Sequence, residues 1–307
     1  MNRHFIDITQ FTKIELQNLI KQAQDFITPT GVKKSNLLQG KTIANLFFEP
    51  STRTRCSFEM AAKALGAEVL NLEISNSSAI KGETEIDTAL NLQAMGVDAF
   101  VIRHKENGMV QKIADVLGEH CVVINAGNGT RQHPSQAVLD MLTISQHHQD
   151  FSKLIVAIMG DCQHSRVAYS DIFALQLLGV REIRLLAPPE LLPSDLAKLP
   201  VIAFTDLAKG LANVDIIMTL RLQKERHSEA LISDKNFLAH YGLTQERVAF
   251  AKSDVLIMAP GPINRGIEIA DIVADGTHSL ILQQAKNGVP ARMAIFAHCF
   301  LNGKGDL

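Results

Sequence analysis

Apolar residues gather along the chain in short runs, at 42–49, 67–73, 98–104, 121–126, 154–160, 182–187, 215–220 and 255–259, each with the length and bulk of a buried strand. Between these runs the apolar positions recur at helical spacing, as in 84–95, ended by Gly96, and 165–178, ended by Gly179. The alternation predicts an α/β chain whose parallel sheets are covered by helices on both faces. Eight strands could also close as a barrel, and periodicity alone leaves that form open. Two breaks in the pattern favour two open, doubly wound sheets. A long helix-like segment, 134–148, follows the fourth strand without an immediate strand partner, and 279–301 reads as two helices split at Gly288, Val289 and Pro290, with Pro290 suited to a first helical turn.

Length and composition narrow the class. A chain of 307 residues fits two domains, and 46% hydrophobic with 20% charged residues supplies apolar matter for two cores. A net charge of -2 argues against a general nucleic-acid binder, which carries a basic excess, so any basic site has to be local. No apolar stretch approaches the ~18 residues of a membrane span, and the polar start MNRHFIDITQ lacks a signal-peptide core. A cytoplasmic protein with neither membrane nor nucleic acid among its partners is expected. Cys56, Cys121, Cys162 and Cys299 lie far apart, without paired spacing, and are expected as buried or half-buried thiols. The 11 histidines show no metal-ligand spacing, so no metal is expected.

Candidate chemistry centres on the run from Phe47 to Arg55, FFEPSTRTR, which sets three hydroxyls and two guanidinium groups between a strand-like and a helix-like segment. A Ser or Thr before a helix is most often an N-cap, and an Arg pair is most often a solvated face. Three hydroxyls interleaved with two Arg residues exceed what a cap needs. Helix-start amides, hydroxyls and Arg forks together make a phosphate site. Arg103, His133, Arg166 and Arg221 also fall at the carboxyl ends of strand-like runs, where doubly wound sheets bind ligands. His133 and Gln136, three apart at a helix start, share one side. Arg221 and Gln223, two apart in an extended loop, do the same.

FFEPSTRTR resembles the carbamoyl-phosphate signature of the aspartate and ornithine carbamoyltransferases, with Glu49 and Pro50 similar to the aspartate branch. Further motifs similar to the family's stand at Lys81 to Thr84, His133 to Gln136, Arg221 to Arg226 and Pro260 to Glu268. The resemblance implies two α/β doubly wound parallel-sheet domains, with residues 1–132 and 285–307 binding carbamoyl phosphate, 133–284 binding the amino acid, and the C-terminal helix returning to the first domain. It implies a cofactor-free transfer of the carbamoyl group from carbamoyl phosphate to L-aspartate in pyrimidine synthesis. The nucleophile is the substrate's amine, so the protein needs donors and cationic clamps rather than a nucleophile of its own.

By the same resemblance, Ser51, Thr52, Arg53 and Thr54 hold the phosphate, and Thr54, Arg103 and His133 reach the carbonyl oxygen. Gln136 contacts the carbamoyl nitrogen. Arg166 takes the α-carboxylate of aspartate, Arg221 and Gln223 grip its side-chain carboxylate, and the carbonyls of Pro260 and Gly261 accept from the amine. Ser77 and Lys81 are expected to enter from a neighbouring subunit, which implies an oligomer, typically a homotrimer. A regulatory chain or a dihydroorotase-type partner is compatible with this picture. A His donor also makes the rate sensitive to pH near neutrality.

One departure stands out. Ala259 occupies the position where many aspartate enzymes carry His ahead of Pro-x-Pro, and activity is expected to survive this because no step needs that side chain. An ornithine enzyme carries an acidic acceptor partner and a His-Cys-Leu-Pro segment, which this chain lacks. Glu49 and Glu225 are expected to pair with Arg226 or another site Arg rather than with substrate. The rival readings are a carbamoyltransferase with another acceptor, such as ornithine, and a silent scaffold homologue.

Overall fold

The computed structural model describes residues 4–72, 83–224 and 233–301. Its Cα positions divide into two compact units, 1–142 with 287–307 and 143–286. The chain passes from one to the other within two helices rather than in loops.

In the first unit, α1 (Lys13–Asp25) starts with a reciprocal capping box between Thr12 and Glu15 and leads to a small antiparallel pair, β1 (Ile27–Thr28) and β2 (Gly31–Val32). Strand and helix then alternate: β3 (Thr42–Phe47), α2 (Thr52–Ala64), β4 (Glu68–Leu72), α3 (Glu85–Ala94), β5 (Ala99–His104), α4 (Met109–Leu117), β6 (Val122–Asn128) and α5 (Pro134–Ser145). The parallel sheet runs β4-β3-β5-β6. It therefore starts in the middle and winds outward both ways, reversing between β3 and β5. Phe100, Ile102 and Val123 pack with Ala44 and Leu46 against α4 residues Val110, Ile113 and Leu117. That buried side explains why β5 and β6 read as apolar runs.

The second unit repeats the plan with β7 (Ile155–Gly160), α6 (Arg166–Leu178), β8 (Glu182–Leu186), β9 (Ile202–Phe204), α7 (Leu207–Leu211), β10 (Ile216–Leu220), α8 (Asp234–His240), α9 (Gln245–Val248), β11 (Leu256–Met258) and α10 (Asp271–Ala274). Its parallel sheet runs β11-β10-β7-β8-β9 and reverses between β7 and β10. Gly160 is required at that reversal. With φ +117°, a Cβ there would lie 2.3 Å from the Leu220 carbonyl oxygen.

Two open sheets exclude the barrel that periodicity left available. The strand β9 was not read from the sequence because it is only three residues long, and at the sheet edge its Ile202 is exposed. At the chain end the expected split at Gly288 to Pro290 does not occur: α11 (Ile281–Leu301) is one helix with Pro290 inside it. An internal Pro costs roughly 3 kcal/mol. The fully buried Ala291, Met293, Ala294, Ile295, Phe296 and Ala297 outweigh that, since each large apolar side chain is worth about 1.5–3 kcal/mol. The end of α11 packs into the first unit, with Phe296 edge-on to Phe58 at 5.8 Å. No helix among the described residues is long and apolar enough to cross a membrane.

Candidate active site

In the first unit the reversal between β3 and β5 brings two predicted groups together. Phe47, the last residue of β3, pairs in register with Arg103 of β5, so the loop carrying Ser51 starts beside the Arg103 backbone. Ser51 is the N-cap residue of α2, yet its side chain makes no capping bond. Its hydroxyl donates instead to Thr54 Oγ1 at 2.9 Å. The helix start is thus not closed by its own cap, which is the condition for anion binding there. Thr54 is buried, while Thr52 and Arg53 are exposed.

Arg103 is mostly buried rather than a solvated surface cation. Its Nη1 donates to the Ala126 carbonyl at 3.2 Å, and its Nε stands 3.3 Å from Glu49 Oε2, an ion pair without hydrogen-bond alignment. Glu49 therefore pairs with a site Arg, as expected, and the fork is aimed from both ends. His133 is buried just ahead of α5, with Ser135 Oγ 3.5 Å from its Nδ1. Gln136 is half-buried on the first turn of the same helix.

In the second unit the reversal between β7 and β10 carries the other predicted group. Arg166 is buried at the first position of α6, whose N-cap Ser165 accepts from Ala168 N at 3.2 Å. Register pairs Gly160 with Leu220, so Asp161 and Arg221 leave adjacent strand ends. Leu222 is buried between the half-exposed Arg221 and Gln223, which gives the loop an alternating in-and-out pattern.

Two buried carboxylates that the sequence reading did not single out hold this loop. Asp161 Oδ2 accepts from Gln223 N at 3.1 Å, while its Oδ1 accepts from the His164 amide at 3.2 Å and contacts His164 Nδ1 at 2.8 Å. Glu268 Oε1 accepts from Leu222 N at 2.7 Å and from Asn264 Nδ2 at 2.9 Å, and its Oε2 accepts from Asn264 N at 2.9 Å. Neither partnership leaves a trace in spacing along the chain.

Ala259 is buried at the end of β11, and its amide donates to Gln284 Oε1 at 2.8 Å. Pro260 and Gly261 follow, ahead of a cis Gly261–Pro262 bond. Ser77, Lys81, Glu225 and Arg226 lie outside the described residues. None of the four cysteines is in a disulfide; Cys121, Cys162 and Cys299 are buried, while Cys56 is exposed, contrary to the expected burial. Burial pushes the Cys162 thiol well above its ordinary range, with the Asp161 charge adding to the shift. Among the described residues no His, Cys, Asp and Glu side chains gather as a metal site.

Residues 3–146 match the family described as aspartate/ornithine carbamoyltransferase, carbamoyl-P binding domain, and 152–299 match its Asp/Orn binding domain. This chain belongs to the aspartate/ornithine carbamoyltransferase family. Aspartate transcarbamoylase from Trypanosoma cruzi, in complex with carbamoyl aspartate and phosphate, superposes with a TM-score of 0.86 at 30% identity, covering 95% of this chain and 94% of that one. The same enzyme with carbamoyl phosphate and aspartate gives 0.84 at 30% identity over 96% of each. Ornithine carbamoyltransferase from Pyrococcus furiosus gives 0.82 at 28% identity over 97% of each. Membership of that family fits both clusters: hydroxyls with Arg in the first unit, and Arg166 and Arg221 at adjacent strand ends in the second.

Proposed function

We propose that this protein transfers the carbamoyl group of carbamoyl phosphate to the amine of L-aspartate, giving N-carbamoyl-L-aspartate and phosphate. The observation that carries the reading is the uncapped start of α2 beside Arg103, at the point where the first sheet reverses. Residues 1–132 with 285–307 form the carbamoyl-phosphate domain and 133–284 the aspartate domain.

Ser51, Thr52, Arg53 and Thr54 bind the phosphate dianion. Thr54, Arg103 and His133 donate to the carbonyl oxygen, making the carbon more electrophilic and stabilising the oxyanion that forms on attack. The aspartate amine forms the new C–N bond, the tetrahedral intermediate breaks its C–O bond to phosphate, and the leaving phosphate accepts the amine's proton. Arg166 holds the α-carboxylate, Arg221 and Gln223 the side-chain carboxylate, and the carbonyls of Pro260 and Gly261 accept from the amine. Acceleration comes from orientation and electrostatics, with each oxyanion donor worth roughly 3–4 kcal/mol. Two cationic groups facing the acceptor, Arg166 and Arg221, suit a dicarboxylate better than the cationic chain of ornithine.

The product places the enzyme in pyrimidine synthesis in the cytoplasm. Ser77 and Lys81 act in the site of a neighbouring subunit of a homotrimer. Acceptor assays with carbamoyl phosphate test the reaction: aspartate should turn over far faster than ornithine, and Arg53→Ala or Arg221→Ala should each lose about 100-fold or more. Faster turnover of ornithine, or unchanged product formation in those variants, overturns it. A fully active monomer by solution mass overturns the shared site.

A further inference from the structure

The side-chain amide of Gln has two unlike ends, an oxygen that accepts and an NH₂ that donates. In α5 the Nε2 of Gln136 lies 3.0 Å from Oδ1 and 3.1 Å from Oδ2 of Asp140, one helical turn on. Asp140 is wholly buried. A carboxylate accepts and does not donate, so only the NH₂ end of Gln136 can face it. The direction of the amide is therefore fixed by chemistry, and Oε1 is the end turned away from Asp140.

Arg292 of α11 supplies the counter-charge. It is buried, its Nη1 donates to the Gly288 carbonyl at 2.9 Å, and its guanidinium lies 4.8 Å over the Phe58 ring. Burial pushes its pKa down to about 10, against the opposing pull of Asp140. A buried acid with a buried base behind it is a costly arrangement unless its geometry is used. Here it ends on a half-buried Gln at the mouth of α5.

We propose that Asp140 is a positioning residue that holds the Gln136 amide with Oε1 outward, so that the site accepts a hydrogen bond from the NH₂ of the carbamoyl group. The consequence is selectivity: an acyl phosphate ending in a methyl group, such as acetyl phosphate, offers the same phosphate and carbonyl but no donor, and leaves Oε1 unsatisfied. This inference rests on the reading that Gln136 meets the carbamoyl nitrogen.

The test measures dissociation constants of carbamoyl phosphate and acetyl phosphate for the intact enzyme and for Gln136→Ala, Asp140→Ala, the double variant of both, and Asp140→Leu combined with Arg292→Met. The last removes both buried charges together and guards against a fold that fails from one uncompensated charge. The preference for carbamoyl over acetyl phosphate should fall about tenfold in Gln136→Ala and equally in Asp140→Ala, the size of one hydrogen bond. It should fall no further in the double variant, and should fall as far in the Leu/Met variant. Acetyl phosphate affinity should stay within about twofold throughout. A preference kept in Gln136→Ala overturns the reading of Gln136, and the inference with it. A preference lost in Gln136→Ala but kept in Asp140→Ala and the Leu/Met variant overturns the inference alone. Equal weakening of both ligands in the Asp140 variants also overturns it, because a merely structural role would do that.

Discussion

The backbone N–H of Leu222 donates to Glu268 Oε1 at 2.7 Å, and the same carboxylate takes both the amide and the side chain of Asn264. One buried anion thus ties the loop carrying Arg221 and Gln223 to the loop that follows Gly261. Glu268→Gln keeps a single acceptor for three donors and turns an NH₂ toward one of them. The KM for aspartate should rise about tenfold, with that for carbamoyl phosphate unchanged, since an unmet buried donor costs roughly 1–3 kcal/mol. Steady-state kinetics on both substrates checks the split, and an equal rise in both would refute it.

Glu49 aims Arg103. With the ion pair removed, as in Glu49→Gln, the guanidinium keeps its bond to the Ala126 carbonyl but loses its second restraint. A loss of about tenfold in kcat is expected, the cost of a looser donor. Arg103→Lys keeps the charge and loses the fork, and should fall further, about 100-fold. Equal rates for the two variants would contradict this ordering.

Ser51 separates two roles that sequence alone confounds. A capping serine replaced by Ala costs about 1 kcal/mol of stability. Ser51 makes no cap, so Ser51→Ala should leave the melting temperature within about 2 °C while raising the KM for carbamoyl phosphate. A clear drop in melting temperature with normal kinetics would restore the cap.

Gly160→Ala places a methyl group against the Leu220 carbonyl in a backbone conformation that Ala rarely adopts. Strain of roughly 3 kcal/mol should follow, or about 10 °C in melting temperature. Calorimetry would show it, and a wild-type melt would count against the close approach.

Burial lowers the pKa of His298, with Glu15 pulling the other way, and the ring lies 5.3 Å from Phe11. The unfolded chain then takes up this proton at a higher pH than the folded one does. Stability from this group is complete above about pH 6.5 and is lost as the pH falls through the depressed native value. Melting temperatures between pH 5 and 8 should fall less steeply on the acid side in His298→Gln. An identical slope would remove His298 as a contributor.

Much of this was legible because the relevant signals are local. The run 42–49 followed by hydroxyls and Arg marks a buried strand entering a helix start, and position along the chain places Arg103 and Arg221 at strand ends. Strand β9 escaped because three residues at a sheet edge fall short of the length by which an apolar run is read as a strand. The continuity of α11 escaped because Pro290 is a strong local stop that only tertiary burial can override. Asp161 and Glu268 act across separations of 62 and 46 residues, which no periodicity records. Asp140 was within reach: Gln and Asp four apart on one helix are neighbours by geometry.

The closing helix also sets an order of assembly. Phe296 and Arg292 lie on Phe58, yet they leave the ribosome after everything between them has been made. The unit begun first is completed last, while 143–286 can collapse earlier as an uninterrupted stretch. Nascent chains arrested before residue 287 would therefore carry a finished insert inside an unfinished host.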